Sequence, residues 1–141
     1  MNFDWLSDGE DQITRWMREW SVASGVPTKH LGRSLDLPEP TDDPHNPAIW
    51  VAYLWDLGGQ FENLQMCPTP EVELQIDIHI QPDASRSRLV AVRKALLVFL
   101  ASQADVVPQN VSVTPMGEVD IEVDDAGTWH VENVTFMFKM G

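Results

Sequence analysis

The sequence predicts a single α+β domain, 1–141, with a mostly antiparallel sheet of about four to six strands flanked by two main helices. Three observations predict this class. Residues 71–81 alternate apolar and polar side chains, 85–103 have the pattern of an amphipathic helix, and 118–139 have that of a β-hairpin. A chain of 141 residues suits one domain, which would bury roughly two thirds of its unfolded surface.

The first predicted element is a helix. Ser7 and Glu10 have the spacing of a capping box, so Ser7 is the expected cap. Apolar side chains then recur at three- and four-residue steps and form one stripe: Ile13, Trp16, Met17 and Trp20. Gly25, followed by Pro27, predicts the end of the helix. The spacing of the two tryptophans favours core packing over a ligand platform.

The composition changes over residues 28–47, where Pro38, Pro40, Pro44 and Pro47 alternate with acidic residues and His45. Neither a compact helix nor a central strand tolerates this pattern, which predicts an extended proline-rich loop. Unstructured loops of this length are uncommon in compact domains and are often functional or ordered by a partner. The loop is a first indication that neighbouring subunits complete the chain.

Residues 48–57, AIWVAYLWDL, predict a strand with two apolar faces, with Trp50 on one and Trp55 on the other. Because both faces of this strand are apolar, both must be covered, one of them either by the first helix or by another subunit. In the latter case Trp50 and Trp55 are candidate subunit or partner contacts. Gly58 and Gly59 predict a turn, after which 60–67 would return as a paired strand.

The stretch 71–81, EVELQIDIHIQ, predicts a long strand of antiparallel type. Its inward positions are all apolar: Val72, Leu74, Ile76, Ile78 and Ile80. Its outward positions are polar, namely Glu73, Gln75, Asp77, His79 and Gln81. One face is therefore expected to be buried and the other to be solvated.

A second helix is predicted over 85–103, capped by Asp83 or Ser85. Its core stripe consists of Leu89, Val92, Leu96, Phe99 and Leu100. Four of the nine basic residues lie on this helix: Arg86, Arg88, Arg93 and Lys94. This cluster is a candidate docking patch for an acidic partner or for other subunits. The alternative is a solvated helix flank tied to nearby carboxylates.

The last third predicts a short strand over 111–114, an alternating strand over 118–124 and a final strand over 128–139. Residues 125–127 suit a hairpin turn between the last two strands. The apolar phase of the final strand shifts after Val131, which predicts a β-bulge near Asn133.

The formal charge of −13 argues against binding to a phosphate backbone, which requires clustered Lys and Arg. It is compatible with a surface that must not bind DNA, with a DNA mimic, or with solubility alone.

The single cysteine, Cys67, excludes an intrachain disulfide and a cysteine-rich zinc site. The acidic N-terminus has no signal pattern, and no apolar run reaches the roughly 20 residues of a membrane span. We therefore expect synthesis in the cytoplasm and no membrane contact.

Metal binding is the strongest chemical alternative. Asp77 and His79 would meet Asp120, Glu122 and Asp124 if their two strands pair, and such a cluster could bind a divalent ion. The outer face of any antiparallel sheet has this composition, however, so we predict no metal and no cofactor. Hydrolase, zinc-protease and phosphate-loop motifs are absent from the sequence, and we predict no catalytic residues and no enzyme.

Three stretches, PAIWVAYLWDL, VELQIDIHIQPDASRSRLVAVRKALLVFL and VDIEVDDAGTWHVENVTFMF, give the chain its resemblance to a known family. The elements of the whole chain follow one another as helix, proline-bearing loop, strands, amphipathic helix and hairpin. In these stretches and in this order, the chain resembles the tail-terminator, or tail-completion, proteins of long-tailed bacteriophages. The resemblance implies an α/β subunit whose sheet is flanked by helices.

The resemblance also implies a virion protein without catalysis, located at the head-proximal end of the tail. About six subunits would form a ring, a closed heterologous assembly, that caps the tail tube, joins it to the head-side neck and ends tube polymerisation. The expected partners are further copies of the chain, the tail tube protein and a neck or connector protein. DNA would pass through the ring unbound, repelled by an acidic lumen. The alternatives are a head-completion or neck connector, and an acidic DNA-mimic inhibitor of a nucleic-acid enzyme.

Overall fold

The computed structural model describes residues 4–30, 38, 41, 43, 46–56, 71–82, 86–103, 107–121 and 127–139. Its helices and strands, in chain order, are α1 (Asp4–Ser24), β1 (Thr28–His30), β2 (Ile49–Asp56), β3 (Glu71–Ile80), α2 (Arg86–Ala101), β4 (Val107–Ile121) and β5 (Gly127–Lys139). The described part is an α+β fold with two helices and one mixed, mostly antiparallel sheet, which confirms the predicted class.

The five strands have the order β1-β2-β3-β5-β4. β1 runs parallel to β2, and the other three pairings are antiparallel. β3, the most regular strand in the sequence, lies at the centre between β2 and β5. β4 lies at one edge of the sheet and β1 at the other.

Both helices pack on one side of the sheet, which we call the helix-covered face. The core on this face takes the α1 stripe of Ile13, Trp16, Met17 and Trp20, the α2 residues Leu89, Val92, Leu96 and Leu100, and the inward residues of β2, β3 and β5. α1 lies beside β1 and α2, and α2 also contacts β3. The predicted core stripes of both helices are therefore confirmed, with Phe99 only partly buried.

The opposite side, which we call the second face, has its own buried apolar cluster. It consists of Ala48, Trp50, Ala52, Trp129 and Val131. The register explains how β2 supplies both faces, because Val51 pairs with Ile78 and Trp50 pairs with His79. Side chains alternate along a strand, so these two pairs point to opposite sides of the sheet.

The boundaries of α1 differ from the prediction at one end. The helix begins at Asp4, so Ser7 lies inside it and is not the cap. Its end is as predicted. Gly25 has a φ of 74°, and its N–H donates a 2.9 Å hydrogen bond to the carbonyl of Ser21. A left-handed glycine that follows the last helical turn is a common helix terminator.

The predicted bulge near Asn133 is wrong. β3 and β5 pair without interruption from Glu71 opposite Lys139 to Ile80 opposite His130. The apolar phase changes because β5 buries Trp129 and Val131 on the second face, and then Val134 and Phe136 on the helix-covered face. When a strand buries first one face and then the other, its apolar positions shift by one residue without an inserted residue.

Irregular pairing occurs in β4 instead, between Pro108 and Asn110 and between Pro115 and Gly117. Gly117 has a φ of 76°, which suits a glycine at a bulge. The separate strands predicted over 111–114 and 118–124 belong, as far as residue 121, to this one strand. β4 and β5 form the predicted hairpin, with Ile121 opposite Gly127.

The predicted loop over 28–47 contains β1 at its start, and most of its remainder lies outside the described residues. Its last part is held to the sheet by Gln81. The side-chain oxygen of Gln81 accepts hydrogen bonds from the backbone N–H groups of Thr41 and Ala48, and its amide donates to the carbonyl of Thr41 at 3.1 Å. The turn at Gly58-Gly59 and the strand predicted over 60–67 lie outside the described residues.

Candidate functional site

The six residues predicted to contact a subunit or partner fall in different environments. Arg86 and Lys94 are exposed on α2, and Arg88 is half-buried there. Trp55 is half-buried and packs against the core. Trp50 is only 2% exposed and lies within the subunit, so it offers no surface to a partner in this structure.

Arg93, the remaining basic residue of α2, has a role inside the subunit. Its guanidinium donates a 2.5 Å hydrogen bond to Oε1 of Glu132 on β5. Glu132 is fully buried on the helix-covered face, and its Oε2 makes no hydrogen bond to a described residue. The pair joins α2 to the sheet. This agrees in part with the alternative of a solvated helix flank tied to nearby carboxylates. Arg93 does pair with a carboxylate, but that carboxylate is buried.

An aromatic cluster occupies the second face. The rings of Trp50 and His79 stack with their centroids 3.6 Å apart and an angle of 9° between their planes. Trp129 meets Trp50 edge-on, with centroids 6.0 Å apart. The ammonium of Lys29 lies 5.1 Å from the centroid of the Trp50 ring, within the range of a cation–π contact. The indole N–H of Trp50 has no hydrogen-bond partner among the described residues.

His79 was predicted to lie on the solvated face of β3, but it is 6% exposed. Burial lowers its pKa to about 4, against the opposing effect of nearby Asp77. The imidazole is therefore neutral at pH 7. Its Nδ1 lies 3.0 Å from the carbonyl oxygen of Asp77, so that contact is a hydrogen bond when Nδ1 carries the proton.

Polar side chains continue along the second face beyond the aromatic cluster. Nδ2 of Asn133 donates a 2.7 Å hydrogen bond to the carboxylate of Asp77, and Thr135 donates a 3.0 Å hydrogen bond to Oδ1 of Asn133. These groups satisfy one another across β3 and β5. They form a structural network across the two strands.

The strand pairing on which the alternative metal cluster depends does not occur. β5 lies between β3 and β4, so Asp77 and His79 do not lie on a strand adjacent to Asp120. Within the described residues, no three His, Cys, Asp or Glu side chains are close enough to bind one metal ion. Glu122 and Asp124 lie outside the described residues.

The exposed large apolar side chains are concentrated on α2 and β4. Across the described part of the chain they are Val22 on α1, Val90 and Val98 on α2, and Val111, Val113 and Met116 on β4. Val111 and Val113 lie two residues apart on one face of β4, so they form a small exposed apolar patch. These side chains are therefore available for contact with another protein.

Sequence reasoning missed three of these features. The alternation of β3 places His79 with its polar neighbours, and nothing local indicates that Trp50 covers it. Nothing in the local sequence indicates that Glu132 is buried either, because its partner Arg93 lies on a helix that is distant in the chain. The exposure of β4 depends on the strand order. Only Trp129 and Val131 could be recognised from the sequence. Their apolar alternation does not continue to Val134, which lies on the other face of the strand.

Comparisons of the chain with models of known protein families and with curated proteins returned no match. Neither helix is long and apolar enough to cross a membrane, as far as the described residues extend.

Proposed function

We propose that this chain is a virion structural protein that forms a ring on the head-proximal end of a phage tail tube. The ring ends tube polymerisation, joins the tube to the head-side neck and leaves a channel for DNA. It acts by geometry, without catalysis, cofactor or membrane contact. The host cytoplasm is the place of synthesis, and the assembled virion is the place of action.

The exposed large apolar side chains of α2 and of β4 carry this proposal. Five of the six exposed large apolar residues of the described part lie on these two elements. A surface of this kind gains stability when another protein covers it. The fold adds support, since a helix-flanked sheet built in this order is the architecture that the family resemblance implies.

The net charge fits the same role. At −13, the chain repels a polyanion and has few bases for contacts to phosphates. A ring of such subunits presents an acidic channel through which DNA passes unbound. The absence of any acid from α2 disfavours the DNA-mimic alternative, since a mimic needs rows of carboxylates on its binding surface.

The first test is the mass of the purified protein by light scattering after size exclusion, together with negative-stain images. A closed ring of about six subunits is expected. Adding such rings to polymerising tail tube protein should give tubes with a ring at one end and no further growth there. Rings that leave tube growth unchanged overturn the terminator role and favour a neck connector. A protein that forms no ring, alone or on tubes, overturns both.

A further inference from the structure

The outer strand β4 is exposed on both faces between its two irregularities. On the helix-covered face, Val111 and Val113 are 39% and 41% exposed, although their partners on β5, Phe136 and Val134, are buried. On the second face, Ser112 is exposed as well. The outer side of β4 has no neighbouring strand in the described part of the sheet. Cover of the sheet therefore ends at β5, and β4 lies beyond it.

β4 also has no charged side chain over most of its length. Residues 107–117, VPQNVSVTPMG, contain no acidic or basic residue, in a chain of net charge −13. The next charged residue, Glu118, lies beyond the second irregularity. Charged side chains, especially lysine, commonly protect an edge strand from pairing with another chain. The opposite edge strand, β1, contains Lys29, whereas β4 has no such charge before Glu118.

The regular part of β4 is long enough to pair with another strand. Its pairing with β5 is uninterrupted from Asn110 to Pro115 and shifts register on either side. Prolines and bulges protect an edge strand, so they limit any added strand to the residues between them. Residues 110–114 contain no proline, and we call them the β4 edge segment. A segment of about five residues has the common length of a β-strand.

Charge indicates which partner this segment suits. A basic partner gains most from the acidic surfaces of the chain, where opposite charges meet. An uncharged edge is an advantage for a partner of the same negative charge, because no like charges are then placed opposite each other. A second copy of this chain, which also carries −13, is such a partner.

The β4 edge segment is also complementary to its own copy. In antiparallel pairing about a two-fold axis at Ser112, Val111 lies opposite the partner's Val113, and Ser112 lies opposite the partner's Ser112. An axis perpendicular to the sheet keeps the helix-covered faces of both copies on one side. The exposed valines of the two copies therefore meet on that side and cover one another.

We propose that the β4 edge segment pairs antiparallel with the same segment of a second copy of this chain and joins the two sheets edge to edge. The contact is isologous, because both copies use the same surface. It goes beyond the proposed ring, since a closed ring is built from a head-to-tail contact between two different surfaces. In free rings, the β4 contact joins two rings face to face, and the single ring remains the unit.

The test places like or opposite charges on the two-fold axis. Ser112→Glu and Ser112→Lys each put like charges opposite each other when the variant pairs with itself. A mixture of the two puts a carboxylate opposite an ammonium. Ser112 is exposed, so neither change alters the core, and the controls Ala95→Glu and Ala95→Lys place the same charges at an exposed position of α2. Light scattering after size exclusion measures the mass, and circular dichroism the folding.

Each Ser112 variant alone should have half the mass of the wild type, with the Kd of pairing raised at least about tenfold. An equimolar mixture should recover the wild-type mass and contain both variants in equal amounts, as native mass spectrometry measures. Both Ala95 variants should keep the wild-type mass. Ser112 variants that stay paired, or a mixture that stays unpaired, overturn the contact.

Failure of this contact and failure of the ring give different results. A wild type that forms single rings, unchanged by Ser112→Glu, keeps the proposed function and overturns the β4 contact. A wild-type dimer that Ser112→Glu splits, and that forms no ring alone or on tubes, keeps the contact and overturns the ring. A wild type that stays monomeric at the highest soluble concentration overturns the contact.

Discussion

Arg93 on α2 donates a hydrogen bond to Glu132 on β5, and this pair places a fully buried carboxylate beneath a helix. Removing one partner of a buried ion pair leaves the other charge uncompensated, which typically costs about 3–5 kcal/mol. Arg93→Ala is therefore expected to lower the free energy of unfolding by about 3 kcal/mol, at the low end because Arg93 is partly exposed. Urea denaturation at pH 7 measures this loss.

Arg88→Ala provides the control for this prediction, since Arg88 lies on the same helix and has no ion pair within the described residues. It should change stability by less than about 0.5 kcal/mol. Replacing both partners, as Arg93→Met/Glu132→Leu, should recover much of the loss because no charge stays buried. A double variant as unstable as Arg93→Ala would contradict this account.

His79 makes the stability of the fold depend on pH. Its pKa falls from 6.5 to about 4 on folding, so the unfolded chain binds the proton more readily than the folded chain. Stability is therefore constant above pH 6.5, decreases as the pH falls from 6.5 to about 4, and changes no further below that through this group. The total loss is on the order of 3 kcal/mol.

The variant that isolates this effect is His79→Phe, which keeps an aromatic ring against Trp50 and removes the titrating group. Urea denaturation of both proteins at pH 7 and pH 5 gives the comparison. The wild type should lose more stability than His79→Phe over this interval. The control, His130→Phe, alters a histidine outside the stack and should behave like the wild type. Equal losses in wild type and His79→Phe would show that His79 is not the group responsible.

The elements with one clear period were predictable from the sequence. The alternation of β3 gave the buried positions Leu74, Ile76 and Ile78, and the stripe of α2 gave Leu89 and Leu96, because each pattern depends only on local geometry. The same rule failed for His79 and Glu132. Their burial depends on Trp50 and Arg93, which are distant in the chain.

The candidate interaction surface was partly predictable. The basic residues of α2 were visible in the sequence as a docking patch, and Arg86 and Lys94 are exposed. The exposure of Val111 and Val113 was not visible, because it follows from the position of β4 at the edge of the sheet. Strand order depends on pairing between strands that are distant in the chain, and no residue pattern within β4 predicts it.

Leu96 tests the packing of α2 on the sheet. It is fully buried in the core of the helix-covered face, so Leu96→Ala should lower the free energy of unfolding by about 2–5 kcal/mol. Val98→Ala on the same helix removes an exposed side chain and should cost less than about 0.5 kcal/mol. Thermal or urea denaturation measures both. An unchanged stability in Leu96→Ala would contradict the placement of α2.

DNA binding tests the passage role. With a net charge of −13, the protein should show no binding to a labelled duplex at micromolar concentration and physiological salt, measured by fluorescence anisotropy. Binding that weakens with salt would contradict the acidic channel. It would point to the basic side chains of α2 that form no ion pair within the described residues as the contact. Contacts from Arg86, Arg88 and Lys94 predict a slope of log K against log salt of about −3. Lys94→Glu would then weaken the binding and reduce the magnitude of this slope by about 1, whereas Arg18→Glu on α1 would leave the slope unchanged.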